Sequence, residues 1–422
     1  MANKKINVAV IGAGISGLAF SKYAKEKSIN VKIFEQSNFF GGIAKVKDID
    51  GIPFHMIGGH CFNSKFEHVK KFVFDHVLPE NEWNLIQRHA SILFKGHRIS
   101  YPIEYSIKDI FSFDPELGLN IVKDYYKASK EPASDLANWF VNNFGKTLAE
   151  EYFIPYNRKI WGSEPSEMTP DWVTDKLPMP SDMEILKGLV GNGSDSMPHS
   201  TFYYPKSGSQ NTFINSLASD LDIKFNTTVS KIAKNKDGKY LIDGELFDHV
   251  IYTGPLNKIG SFVEIENKDI HESIAKLKYN KVTTVLWKSK DTEDTWTYIP
   301  SADCIFHRLI HIGNFIGSAQ NYSISEAVGE VTYENMVESG KHVEQLIEPI
   351  DYNVSDHAYV VFDKNISTSK SVIFDYFENE NIHLLGRFGE WEYYNMDICI
   401  KRAMEVCESI ICREPRKTSS EK

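Results

Sequence analysis

The residues with the plainest chemical purpose stand near the start of the chain. Gly12-Ala-Gly14-Ile-Ser-Gly17 follows directly on the β-branched run 6–11 (INVAVI), and Glu35 closes a second such run 18 residues after Gly17. A strand, a glycine turn, a helix and a second strand ending in an acid form a dinucleotide cradle. Gly12 allows the sharp turn, Gly14 lets backbone approach a pyrophosphate, and Gly17 lets the helix close on the strand. The helix N-terminus offers N–H donors and positive partial charge to the phosphates. Glu35 is placed to accept both hydroxyls of a ribose.

Glu35 also begins an E-x5-GG stretch that ends in Gly41-Gly42. This resembles the extended fingerprint of FAD-binding proteins of the glutathione-reductase-like and amine-oxidase-like class, which implies FAD rather than NAD. On the same resemblance, 225–229 (FNTTV) brings the backbone of Val229 to the adenine, and 250–255 (VIYTGP) closes over the pyrophosphate at Gly254.

Five further stretches, in order, resemble the UDP-galactopyranose mutases and their relatives. Gly58-Gly59-His60 resembles the glycine–histidine segment beside the flavin, and 156–162 (YNRKIWG) the stretch lining the nucleotide pocket. Residues 202–208 (FYYPKSG) resemble the Y-P-x-x-G stretch near the flavin ring, and Arg308 falls where the family carries an arginine facing the sugar diphosphate. The run 386–397 (GRFGEWEYYNMD) is close to the family's G-R-x5-Y-Y-D-M segment. Two departures stand out. Residues 177–180 (LPMP) lack the arginine of the family's I-P-x-R segment, and Asn395 replaces the aspartate of Y-Y-D-M. Both leave the sugar and the base open.

The resemblance implies a mutase that interconverts pyranose and furanose forms of a nucleoside-diphosphate hexose. It works through an adduct between N5 of reduced FAD and the sugar, with NAD(P)H or another reductant supplying electrons. Arg308 and His60 are then the catalytic residues: Arg308 grips the departing diphosphate and His60 tunes the flavin or moves a proton. Tyr156 and Trp161 shape the base end, and Tyr204, Tyr393 and Tyr394 donate hydroxyls to the phosphates. Lys206 and His307 are the candidates for the charge missing near Pro180. Arg387 after Gly386, together with Met396, contacts the FAD. For these residues a structural reading stays open: a salt bridge for Arg308, an ion pair with Glu390 or Glu392 for Arg387, core packing for the aromatics, and a hydrogen-bonded core position for His60.

The elements that must position these groups imply an α/β fold. A Rossmann-like FAD-binding domain is expected from 1–63, 205–260 and 380–412, a mainly helical insert from 64–204, and a mixed or antiparallel substrate-domain sheet from 261–379. Apolar residues at helical spacing mark 66–77, 107–111, 136–144, 147–153 and 398–411. Strands are expected at 223–232, 239–242, 249–252, 281–287, 298–306 and 359–362. A loop is expected at 191–196, and 413–422 reads as a polar tail.

Composition narrows the classes. A chain of 422 residues, 42% hydrophobic and 25% charged, holds a large core, and its net charge of −10 argues against a nucleic-acid partner. The five cysteines form no C-x-x-C pair, and His307-x-x-x-His311 lies on a strand, so no metal site is expected. No run is apolar enough for a membrane span and no signal peptide is evident, which reads as cytoplasmic. Association into homo-oligomers stays open. The competing readings are an FAD-dependent oxidoreductase of the amine-oxidase or desaturase type and a non-catalytic flavoprotein.

Overall fold

The computed structural model describes residues 6–173, 177, 179–190, 200–318, 321–378 and 380–413. The loop expected at 191–196, Pro178 and residues 414–422 lie outside the described residues.

Two sheets organise the molecule. The first is five-stranded, ordered Ile382–Leu384, His249–Tyr252, Asn7–Ile11, Asn30–Phe34 and Ile223–Lys224. All its neighbours run parallel. Its strands therefore come from three separated stretches of chain. Val8, Ala9 and Val10 are fully buried, as a strand covered on both faces requires. Helix Ile15–Glu26 packs against the C-terminal helix Met396–Arg413, and Leu18, Phe20, Ile400 and Ala403 meet in the same core. A Cβ on Gly17 would overlap the carbonyl of Gly12, so glycine alone lets the helix start this close to the turn.

The second sheet has seven strands, ordered Leu346–Val360, Tyr279–Ser289, Tyr322–Val328, Phe306–Ile310, Trp296–Tyr298, Ala90–Phe94 and His97–Ser100. It is antiparallel except where Trp296–Tyr298 meets Ala90–Phe94. The last two strands belong to the stretch read as mainly helical. Lys95 and Gly96 both hold positive φ (+50° and +82°), the geometry of a two-residue hairpin turn. That hairpin extends the second sheet. Trp83–Gln87 and Thr201–Pro205 pair separately with each other.

Helices fill most of the rest of 101–190. Leu136–Phe144 is capped by Asp135, whose carboxylate accepts from the Asn138 N–H. Phe140 and Phe144 stack on Phe153 with centroids 4.9 and 4.4 Å apart. Residues 147–153 do not form one simple helix. Lys146–Leu148 passes into a widened turn, Ala149–Phe153, and then into Ile154–Trp161. Pro155 has no N–H for the turn before it, which favours the widening. The expected strand 223–232 ends at Lys224, because Asn226 takes a left-handed φ of +50°. The expected strand 298–306 divides into Trp296–Tyr298 and Phe306–Ile310 around Pro300. Residues 359–362 contribute only the end of Leu346–Val360. Helices Pro115–Tyr125, Gln210–Ala218 and Ile366–Glu378 were not evident from spacing. Among the described residues no helix is long and apolar enough to cross a membrane.

One buried acid sits beneath this insert. Glu104 is 2% exposed and its Oε1 has no hydrogen-bond partner. Burial pushes its carboxyl up to about 8. A raised acid holds its proton in the folded state after the unfolded chain has lost it. Its contribution to stability is therefore present at acid pH and is lost as pH rises towards 8. Between about pH 5 and pH 8 the melting temperature of the wild type should fall more steeply than that of Glu104→Gln. Parallel pH profiles would contradict the assignment.

Candidate active site

A cleft of about 730 Å³ lies between the two sheets and takes its wall from both. From the parallel sheet come residues at the carboxyl ends of its strands: Gly12 and Gly14 after Ile11, Glu35 after Phe34, and Thr253 and Gly254 after Tyr252. Ligands of open α/β sheets bind at such an edge. From the second sheet come Trp296, Tyr298, Arg308, Asn353 and Ser355.

The dinucleotide end is shaped by close backbone approach. Gly12 has φ +103°, and a Cβ there would lie 2.5 Å from Thr253 Oγ1. Gly386 has φ +87°, and a Cβ on it would overlap the Ser16 hydroxyl. Gly14 differs: an added Cβ would meet only Gly42 Cα, at 3.9 Å. That free space beside a helix N-terminus is what a phosphate needs. The Gly41 N–H donates to the Ala13 carbonyl at 2.7 Å, which ties the Gly41-Gly42 turn to the glycine loop. Glu35 accepts from the Ala13 N–H at 2.8 Å and from both the N–H and the hydroxyl of Ser37. Three of its roughly four acceptor positions are thus in use, and one remains for a ribose hydroxyl.

Arg387 lies in the same wall. Its Nη2 donates to the Ala358 carbonyl at 2.9 Å and its Nη1 to the Tyr394 carbonyl at 3.3 Å, while Nε is buried without a partner. Glu390 pairs with Arg402 and Glu392 with Lys370, so neither carboxylate considered from sequence pairs with Arg387. An orphaned guanidinium nitrogen beside a glycine cradle fits an anionic dinucleotide. Gly42, Gly59 and Met396 line the cleft as well, and Met396 Sδ accepts from Gln210 Nε2. Gly17 and Val229 do not line it: Gly17 is a packing glycine and Val229, 8% exposed, joins the core.

The sheet end is dominated by Arg308. Its Nε and Nη2 both reach Glu326 Oε2, at 2.9 and 2.8 Å, and Nη2 also donates to the Tyr359 hydroxyl at 2.7 Å. Tyr359 in turn donates to Glu326 Oε1 at 2.7 Å, closing the triangle. Glu326 is fully buried. Burial alone would raise its carboxyl, but the guanidinium of Arg308, with the hydrogen bond from the Tyr359 hydroxyl, holds it below the usual carboxylate range. His307 Nε2 is 3.6 Å from the same carboxylate, yet burial pulls the imidazole down to about 3, so it is neutral. His60 also lines the cleft. Burial, and then the positive charges of Arg387 and Arg308, bring it to about 4 against the pull of Glu326. Its Nε2 has no partner, and its backbone N–H donates to His55 Nδ1.

The other sequence candidates are scattered. Tyr394 lines the cleft, whereas Tyr393 lies beneath Arg387, its ring 4.6 Å from the guanidinium carbon. Tyr204 is fully buried and bonds His55 Nε2 at 2.9 Å, which corrects its reading as a phosphate donor: its hydroxyl is spent in the core. Trp161 is core as well, its indole N–H given to Asn157. Tyr156 stacks on Tyr152 at 5.5 Å and does not reach the cleft wall. Lys206 is exposed and outside the wall, so it does not supply the missing charge. Arg88, Tyr298 and Glu326, which spacing did not single out, are part of the cleft or of its support.

Because the space at Gly14 is open in the protein alone, Gly14→Val should fold with a melting temperature near that of the wild type. It should lose the dinucleotide, read as the absence of cofactor released on heat denaturation. Retention of cofactor would contradict the cradle.

Comparison with known proteins agrees with this geometry. A family model described as an NAD(P)-binding Rossmann-like domain matches residues 10–75. The dTDP-fucopyranose mutase of Escherichia coli is 23% identical over 429 residues, covering 96% of this chain and 98% of that protein. The UDP-galactopyranose mutase of Mycoplasma genitalium is 22% identical over 426 residues, covering 95% and 94%. The crystal structure of a reduced UDP-galactopyranose mutase superposes with a TM-score of 0.86 at 19% identity, covering 97% of this chain and 96% of that one. In sequence along nearly its whole length, and in fold, the chain is similar to the UDP-galactopyranose mutase group of sugar-nucleotide mutases.

Proposed function

We propose that this protein is a flavin-dependent sugar-nucleotide mutase that interconverts the pyranose and furanose forms of a nucleoside-diphosphate hexose. The observation that carries the reading is an oriented guanidinium, Arg308, in the same cleft as a dinucleotide cradle. FAD is the cofactor that suits the E-x5-GG stretch, held by the loop at Gly12–Gly14, by Glu35, by the Gly41-Gly42 turn and by Arg387. When bound and reduced, by NAD(P)H or another donor, the flavin supplies a nucleophilic nitrogen for the anomeric carbon of the sugar.

The chain's own residues then have three tasks. Arg308 binds the diphosphate and offsets the charge that grows on it as the glycosidic bond breaks. Glu326 and Tyr359 hold that guanidinium in one orientation, so it need not reorganise during the reaction. His60, uncharged at neutral pH, lines the cleft with its buried Nε2 unpartnered and can hold or pass a proton there. Tyr394 offers a further hydroxyl. The two sheets enclose the site between them and exclude water from the exposed anomeric carbon.

Activity should appear only after reduction with dithionite or NAD(P)H, followed as conversion of a UDP- or dTDP-hexose to its furanose isomer by chromatography. Equal turnover by oxidised protein would remove the flavin role. Peroxide formation with an amine, without isomerisation, would instead favour the oxidoreductase reading.

Arg308 has a structural partner, so its variants need care. Arg308→Ala alone strands a buried carboxylate, which costs about 3–5 kcal/mol of stability. The pair Arg308→Met with Glu326→Gln removes both charges. It should keep the yellow cofactor and lower kcat/KM by about a hundredfold or more. Unchanged kcat/KM in the folded double variant would take Arg308 out of the reaction.

A further inference from the structure

Arg88 is a cation of the cleft to which neither the dinucleotide cradle nor the Arg308–Glu326 pair gives a role. It lines the wall beside Trp296 and Tyr298, and its Nη2 donates to the Tyr298 hydroxyl at 2.8 Å. The guanidinium lies against two rings, Tyr101 at 5.1 Å and Trp296 at 5.2 Å from its carbon. Its Nε is buried without a hydrogen-bond partner, and among the described residues no carboxylate pairs with it. Contact with aromatic faces recovers only part of the cost of removing a guanidinium from water. A cation placed this way calls for an anion.

Its neighbours indicate where that anion belongs. Tyr298 pairs across the strands with Arg308, so one tyrosine connects the two guanidiniums. The charge of Arg308 is already balanced by Glu326. Arg387 stands with the dinucleotide loops, its backbone directly after Gly386. Arg88 thus brings uncompensated positive charge to the second-sheet side of the cleft, beside Arg308.

We infer that Arg88 is a substrate-binding residue that receives an oxyanion of the nucleotide sugar, either a diphosphate oxygen or a carboxylate carried by the sugar. The inference rests on the sugar-nucleotide reading only for the molecule that bears the anion. Tyr101 and Trp296 flank the guanidinium, Tyr298 takes an N–H of Nη2, and Nε is left without a partner.

The test is calorimetric titration of the FAD-loaded protein, as wild type, Arg88→Met and Arg88→Lys, with inorganic pyrophosphate, UDP, UDP-galactose and UDP-galacturonate. Flavin absorbance and melting temperature establish that each variant is folded; should Arg88→Met fail, Arg88→Lys carries the comparison, because lysine cannot reproduce the planar fork. If a phosphate oxygen is the ligand, Arg88→Met binds pyrophosphate and UDP about 10- to 100-fold more weakly than wild type. If a sugar carboxylate is the ligand, pyrophosphate and UDP bind equally well and only a preference for UDP-galacturonate over UDP-galactose disappears. Either result supports the site and says which group fills it. Arg88-dependent binding of pyrophosphate without binding of any nucleotide sugar would support the oxyanion site and remove the mutase reading. Wild-type affinities in folded Arg88 variants, or a wild type that binds none of the four, would overturn the inference.

Discussion

The buried pair of Arg308 and Glu326 sets the terms for the rest of the cleft. A carboxylate with no exposure is tolerable only when its charge is matched and both its oxygens are bonded. Here Arg308 reaches one oxygen and Tyr359 the other. The outcome is more than neutralisation. A guanidinium tied at two nitrogens cannot swing, so whatever it presents to the cleft is presented in one direction. The same pair accounts for a quiet electrostatic neighbourhood. His307 and His60 lie within its field, yet burial keeps both imidazoles neutral. Positive charge in the cleft is thereby confined to groups that keep it at every physiological pH.

The opposite wall works by shape. Gly12, Gly17 and Gly386 bring the backbone closer to its neighbours than an added Cβ would permit. Gly14 is left with open space beside it. A helix start, a tied glycine turn and an acid at the end of the neighbouring strand then face a single volume. The second sheet supplies Arg308, while the edge of the parallel sheet supplies the glycine cradle together with Glu35 and Arg387.

The two walls also divide the arginines. Arg387 is braced by carbonyls and by the Tyr393 ring at the dinucleotide end. Arg308 is braced by a carboxylate. Arg88 is braced by rings and one hydroxyl, with no counter-charge. Such different supports imply different duties: Arg308, matched by Glu326, offers a fixed direction, whereas Arg387 and Arg88, with no carboxylate partner among the described residues, also offer net charge.

What could be read from the chain alone was local. The turn at Gly12, Gly14 and Gly17, the acid Glu35, the Gly41-Gly42 pair and the buried strands around them are contiguous, and their chemistry follows from spacing within a few dozen residues. Leu136–Phe144 and the C-terminal helix were legible for the same reason, through their apolar period. The hairpin at 90–100 had a signal in Lys95-Gly96, but its place at the end of the second sheet depends on pairing with a strand about 200 residues away. Partners were not legible. Glu326 meets Arg308 because an antiparallel register sets them opposite each other, and Arg88 meets Tyr298 from a different part of the chain. Tyrosines given the same role from sequence had unlike fates: Tyr204 went to the core and Tyr394 to the cleft. A side chain's surroundings are fixed by strand register and by which face of an element turns inward. Those are properties of long-range packing, and no spacing along the sequence encodes them one residue at a time.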